Sequence, residues 1–572
     1  MGQTDEGLNH ASWGTKMQDK QNKQPPPKMP ESQDHIRLAI SLRDGSLDKS
    51  VLFSLSQITS LPQDVTSVPR SSDLLTDAEL QLTEEYDATA LLEMLAAKKV
   101  TAVELLSAFR KRATIAQQCT NCLTELLAEA IYDAEACDEH LALTGRLIGP
   151  LHGIPLSLKN QIGVASHLTN AGFVAWINNT SRDDAAIVKT FRKLGAVVFA
   201  RTNQPQAGMH LETSNNIYGT TVNPRNRQLT AGGSTGGEAA LMGMNASVLG
   251  IGGDIGGSIR IPAAFNGLYG FMPSPSRFSG KGVVVPTPGH DAIVGTLGPF
   301  ARSLRDIELF CKAYSSTLPW IDDVSLIPGS ILSSAMGRQL DETRPLKVGL
   351  LMDDGVVSPL PPVRTAMRRI AEKLGRAIDV QVVTFSPMEH ARGWSIIAAN
   401  YFEDGGANIR AICEKGGEPV LPLTEWIINE CQKGRAEVAS SPEGLKEARD
   451  AFRQQYSDHW NQFDVDVVLA PIYPSVAGPH GATRYWGYTA IWNLLQYPAV
   501  AMPANKLVGA ATAAELREAY EPKNELEKHY WEIYSPEDAE GLPVGVQVVG
   551  KRYHERLVLQ AARVIEKALL GK

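Results

Sequence analysis

A chain of 572 residues, 43% hydrophobic and 21% charged, can bury a large core and has the composition of a globular protein in water. Its net charge of −8, with no basic stripe, argues against nucleic acid as a partner, because phosphate binding needs clustered Lys and Arg. Six cysteines over this length are not a secreted disulfide framework, and no apolar run reaches the ~20 residues that span a bilayer.

The first residues, MGQTDEGLNHASWGTK, are polar and lack the apolar core of a secretory signal. Gly2 is followed by Glu6 where N-myristoylation wants Ser or Thr. A cytoplasmic enzyme with no membrane association is therefore expected. Residues 1–34 contain QNKQPPPKMP and are expected to be a disordered polar tail, because they cannot bury enough apolar surface to order themselves. Residues 35–73 form an N-terminal arm. Ile36, Leu38, Ile40 and Leu42 alternate as in a strand, and the arm is a candidate contact with the body or with a second copy in a homodimer.

Compact structure is expected from Leu74 to the end, 74–572. Residues 83–98 and 101–118 have helical periodicity, and Thr101 with Glu104 makes a capping box. Helix is predicted again over 124–144, closed by Gly145. Cys119 and Cys122 form a C-x-x-C inside this helical region with no second pair, so packing is expected rather than metal or redox chemistry. No cofactor and no metal site is read anywhere in the chain. Residues 149–164 predict a buried strand with turns, 183–194 a helix, and 196–201 a strand. Further strands are predicted over 345–352, 380–385 and 465–470, with helices over 362–374 and 444–464. The tail supplies one more strand and a closing helix. Helix and strand alternate without an internal repeat, which predicts an α/β fold: a single large domain with a mixed β-sheet core covered by α-helices.

The chain is organised around residues 231–274, AGGSTGGEAALMGMNASVLGIGGDIGGSIRIPAAFNGLYGFMPS. Two glycine-rich turns carry Ser234 and Ser258, 24 positions apart. Turns of this kind aim several backbone N–H groups at one point and favour a developing negative charge there. Ser258 follows an apolar run and a tight turn and precedes a helix, so it is either a nucleophile beside the N–H groups of Ile255, Gly256, Gly257 and Ser258, or a helix cap. Ser234 sits in G-x-S-x-G, but the polar NPRNRQLTA before it is not the buried strand that a nucleophile elbow requires. Among the twelve histidines, His152, His210 and His480 are the candidates for a base, each with a packing or surface alternative. Lys159, in the apolar stretch IPLSLKN, is either a base whose proton affinity burial lowers, or a lysine snorkelling from a strand end.

The segments GGSTGGEAAL, GIGGDIGGSIRIPAAFNGLYG and GIPLSLKN resemble those of the amidase signature family. With QPQAGMHLETSNNIYGTTVNPRNR and PHGATRYWGYTAIWNLLQYPAV, the chain from residue 74 onward is most similar to acetamidase-type general amidases. The resemblance implies a Ser–cis-Ser–Lys triad of Ser258, Ser234 and Lys159, with an oxyanion hole from the N–H groups of Ile255 to Ser258. It implies hydrolysis of a small-molecule amide through an acyl-enzyme. Thr235, Gly253 and Asn160 depart from the family pattern, where serine, threonine and aspartate are common. Substrate choice is expected from residues 206–213 and 484–492. Two other readings remain: an α/β-hydrolase-type esterase using Ser234 and a histidine, and an amidotransferase-like subunit acting in an assembly.

Overall fold

The computed structural model describes residues 31–333 and 340–571. Most of the expected tail lies outside that range, and residues 31–34 are the first turn of helix α1 (Glu31–Ser46). The alternation of Ile36 to Leu42 is thus helical. Ala39 turns into a small apolar cluster with Val174, Ile177, Ile217 and Tyr218, while Leu38 and Leu42 face solvent. The arm then runs along the body of its own chain. Leu47, Val51, Val65 and Val68 enter the main core, and the Val65 N–H donates to Pro224 O at 2.8 Å.

The helix predicted over 83–98 is two helices, α2 (Asp77–Glu84) and α3 (Ala88–Ala96), separated where the Asp87 side chain caps the second. Helix α4 (Ala102–Thr120) begins on the predicted capping box, with the Glu104 N–H donating to Thr101 Oγ1 at 3.1 Å. It stops at Asn121, which takes a left-handed conformation at φ 54°. The next residues are strand β1 (Leu123–Leu126), and helix α5 starts only later (Ala130–Thr144). Cys119 and Cys122 are both buried as free thiols at this junction.

The core is an eleven-stranded mixed sheet. After β1 come β2 (Pro155–Lys159), β3 (Val197–Thr202), β4 (Leu249–Asp254), β5 (Tyr269–Met272) and β6 (Thr296–Ala301). The second half contains β7 (Leu346–Leu350), β8 (Val380–Thr384), β9 (Val467–Pro471), β10 (Ala499–Pro503) and β11 (Gly545–Val549). The spatial order is β1-β3-β2-β4-β6-β5-β10-β11-β9-β7-β8. β3, β2 and β4 are parallel, as are β9, β7 and β8, and the strands between them pair antiparallel. β2, β3 and β9 to β11 are buried along their whole length, as strands covered on both faces must be. Among the described residues no helix is long and apolar enough to cross a membrane.

Two features of this sheet place the site. β2 and β4 are parallel neighbours in register, with Leu156 beside Leu249 and Leu158 beside Ile251, so both end at the same edge. Lys159 closes β2 and Asp254 closes β4. Helix α6 (Gly236–Gly243) then packs its first turn against the ends of β1 and β3. A Cβ on Gly237 would lie 2.4 Å from Asn203 N and 2.6 Å from Cys122 O, so the helix approaches this closely only because the residue is glycine. Gly237→Ala should therefore cost about 1–3 kcal/mol, as expected when atoms are forced into a packed interior. Gly45→Ala, in α1 where a methyl would meet nothing within 4 Å, should leave stability unchanged or raise it. Thermal unfolding of both variants tests this. Equal midpoints would show that the helix does not depend on the close approach.

Candidate active site

Lys159 reaches from the end of β2 into a dry position, with only 1% of the residue exposed. Its Nζ donates to Ser234 Oγ at 2.6 Å. Burial drives the ammonium down to about 7, and the nearby Asp254 carboxylate opposes that shift. Ser234 lies in the turn between a small hairpin (Val222–Asn223 with Asn226–Thr230) and α6, outside the large sheet, and its peptide bond to Gly233 is cis. Thr235 is buried beside it and donates to Gly253 O at 3.3 Å. Asn160 turns the other way: its Nδ2 donates to Thr124 Oγ1 at 3.2 Å, and its Oδ1 is buried without a partner. Below the lysine, Glu238 of α6 accepts from Ser157 Oγ and, at 2.9 Å, from Thr202 Oγ1. Burial raises its carboxyl to about 8.

Ser258 stands on the loop between β4 and helix α7 (Arg260–Asn266). Asp254 organises that loop. One carboxylate oxygen accepts the Gly257 N–H at 2.7 Å and the other accepts the Ile259 N–H at 3.1 Å. The Arg260 guanidinium donates to both oxygens at 3.1 Å, and Asn493 Nδ2 adds a bond at 2.9 Å. Of the four N–H groups expected to receive an oxyanion, that of Gly257 is therefore engaged by Asp254. Those of Ile255, Gly256 and Ser258 have no acceptor among the described residues. The loop needs its glycines. Gly257 sits at φ 135°, and a Cβ on Gly256 would lie 2.4 Å from Tyr401 Oη.

Lys159, Ser234 and Ser258 border one cavity of about 300 Å³. Its far wall is apolar: Met209, Phe278, Val283, Val285, Ile293 and Leu297. Residues 207–209 of the expected substrate segment contribute to it. Residues 484–492 do not. Helix α8 (Gly487–Leu495) and Trp486 instead back the loop between β4 and α7: Thr489 Oγ1 donates to Gly256 O at 2.6 Å, and Trp486 Nε1 donates to Tyr401 Oη at 3.1 Å. The expected histidines lie elsewhere. His152 accepts from the Ile148 N–H, His480 is exposed beside Arg227 O, and buried His210 packs edge-on to Trp486 with its imidazole held down at about 3. Neither Ser234 nor Ser258 has a histidine partner among the described residues. Cavity residues that the sequence did not signal include Gln161, Phe278, His290 and Tyr401. Gln161 follows GIPLSLKN directly, but Phe278, His290 and Tyr401 come from segments far apart in the chain with no motif, and only the hydrophobic spacing around Ile293 and Leu297 hints at a packed wall.

Residues 104–559 match the sequence profile of the Amidase family. The chain is 45% identical over 524 residues to C550.07 of Schizosaccharomyces pombe, a protein named as an amidase, covering 91% of this chain and 96% of that one. It is 35% identical to the acetamidase of Emericella nidulans, over 90% of this chain and 94% of that protein. Among solved structures, a fatty acid amide hydrolase superposes with a TM-score of 0.87 at 34% identity, covering 96% of this chain and 98% of that one. The fold is thus shared over nearly the whole length, and the chain belongs to the amidase family of amide-hydrolysing enzymes.

Proposed function

We propose that this enzyme cleaves a neutral carboxylic amide to an acid plus ammonia or an amine through an acyl-enzyme on Ser258. The Lys159–Ser234 hydrogen bond of 2.6 Å, at the wall of the cavity that Ser258 also borders, carries the reading. Neutral Lys159 takes the Ser234 proton as Ser234 takes that of Ser258, and Ser258 Oγ adds to the amide carbonyl. The developing oxyanion is received by the N–H groups of Ile255, Gly256 and Ser258, while Gly257 keeps its bond to Asp254. Collapse breaks the C–N bond as the proton returns through Ser234 to the leaving nitrogen. Water then attacks the ester carbonyl and gives up its proton to the relay; the ester C–O bond breaks as the relay returns that proton to Ser258 Oγ, releasing the acid. The apolar wall supports an apolar acyl group on a small-molecule substrate. A cytoplasmic setting belongs to the same proposal. A Ser234–histidine esterase is disfavoured by the absence of a histidine partner for either serine among the described residues, and by the hairpin that precedes Ser234.

Ser258→Ala should lower kcat by about 10³-fold or more while the protein stays folded. A fluorophosphonate should label Ser258 in the wild type; a label mapped by peptide mass to Ser234 would return the esterase reading. The second prediction is a pH–rate profile. Because burial disfavours the ammonium, Lys159 loses its proton near neutrality, and the competent neutral amine accumulates as pH rises. kcat/KM should climb across roughly pH 6 to 8 and then level, with a limb belonging to the coupled Lys–Ser–Ser unit. Lys159→Ala should remove the limb with most of the activity. Lys159→Arg should do no better, because guanidinium stays protonated. An arginine variant near wild-type activity would exclude Lys159 as the base.

A further inference from the structure

Gln161 follows the catalytic lysine by two residues and borders the cavity that holds the triad. Its backbone is fixed from two sides: its N–H donates to Gln204 Oε1 at 3.1 Å, and its carbonyl accepts the Val284 N–H at 2.8 Å. Its side chain is not held in this way. Other polar groups on these walls are engaged, Asp254 by Arg260, Tyr401 by Trp486 and His290 by the Ile293 N–H, whereas the Gln161 carboxamide has no hydrogen-bond partner among the described residues.

Two glycines leave room for that carboxamide. A Cβ on Gly253 would lie 3.3 Å from Gln161 Nε2, and a Cβ on Gly208 would lie 3.3 Å from Gln161 Oε1. At Gly253 threonine would place two more heavy atoms against the amide. The side chain therefore stands between the end of β4 at Gly253, which its Nε2 faces, and the turn at Gly208, which its Oε1 faces. That wall carries a second uncommitted polar atom. Gln204 Nε2 is buried without a partner and lies 3.6 Å from the same Gly208 point. A buried amide nitrogen in this state is rare unless something else satisfies it; Gln161 itself is only partly buried and opens to the cavity.

The reaction supplies such a group. In the proposed mechanism the substrate carbonyl oxygen turns to the oxyanion loop, so the nitrogen turns to the side from which Lys159 and Ser234 protonate it. Gln161 lines the same cavity as Lys159 and Ser234. We infer that Gln161 Oε1 accepts an N–H of the scissile amide, orienting the leaving nitrogen and selecting amides that bear an N–H over esters and N,N-dialkyl amides of the same acyl group. This rests on the acyl-enzyme reading above and adds a specificity residue to it. A site built to pair a donor discriminates against analogues that lack it, because its own acceptor is then left unpaired.

The test uses full-length enzyme and three substrates with one acyl group: hexanamide, N,N-dimethylhexanamide and methyl hexanoate. Gln161→Leu should lower kcat/KM for hexanamide by about tenfold, with changes under about threefold for the other two. Gln161→Glu keeps an acceptor oxygen and should retain the preference for hexanamide, with the pH limb moved to higher pH by a new carboxylate in the cavity that Lys159 also lines. Fluorophosphonate labelling of Ser258 checks that each variant is folded and competent. An equal loss on all three substrates, no loss on any, or no turnover of hexanamide by the wild type would overturn the proposal. Ser258→Ala assayed in parallel separates the two readings: activity retained there overturns the acyl-enzyme mechanism whatever Gln161 does.

Discussion

The loop between β4 and α7 hangs on the carboxylate of Asp254. Taking a carboxylate and a guanidinium fully out of water is unfavourable unless nearly every lone pair and proton finds a partner. Here the Asp254 and Arg260 side chains are both completely buried. Burial pushes the Asp254 carboxyl up, but Arg260, Asn493 and the loop N–H groups outweigh it and hold it below the usual carboxylate range. The remaining Arg260 protons go to Gln547 Oε1 at 2.9 Å and Asn493 Oδ1 at 2.6 Å, which ties the loop to β11 and α8. The same charge acts on Lys159. It raises the proton affinity of Lys159 against the larger effect of burial, so one residue both shapes the β4–α7 loop and tempers the lysine.

The candidate site was legible in the sequence because its turns and strand end are local. The turns around Ser234 and Ser258 announce themselves by glycine, and the apolar run before Lys159 announces a buried strand end; each needs only ten or so neighbouring residues to be read. The capping box at Thr101 is of the same kind. Where the reading departed from the structure, a distant contact decided the outcome. The Ile36–Leu42 alternation gave way to a helix because Ala39 meets Ile177 and Tyr218 from far along the chain. The break after Asn121 follows from β1 pairing with β3, where Leu126 lies opposite Ala200. The Gly257 N–H was expected to serve the substrate, and its bond to Asp254 depends on a side-chain orientation that spacing does not encode.

The aromatic segment at 484–492 is the instructive case. Trp, Tyr and Arg side chains with a few polar groups are what a binding pocket uses, and they are also what a tightly packed support uses. Trp486 packs against His210, Trp394, Tyr401 and Trp426, behind the loop and not in front of it. Composition cannot tell the two faces of a loop apart. The residues that do face the cavity, such as Phe278 and Ile293, are ordinary apolar residues in an undistinguished stretch.

That stretch has its own architecture. Residues between Phe278 and Leu297 form most of the apolar wall, and their tethers run to peripheral helices: Asn408 Nδ2 donates to Pro286 O at 2.6 Å, Lys446 pairs with Asp291 at 2.7 Å, and an Arg449 guanidinium N–H donates to Ala292 O at 2.8 Å. The wall also meets the strand ends directly: Leu297 of β6 pairs with Gly253 of β4, and the Val284 N–H donates to Gln161 O at 2.8 Å, two residues beyond Lys159. A change at the wall's peripheral tethers can thus reshape the cavity from the outside, while a change at Leu297 or Val284 is transmitted to the strand ends themselves.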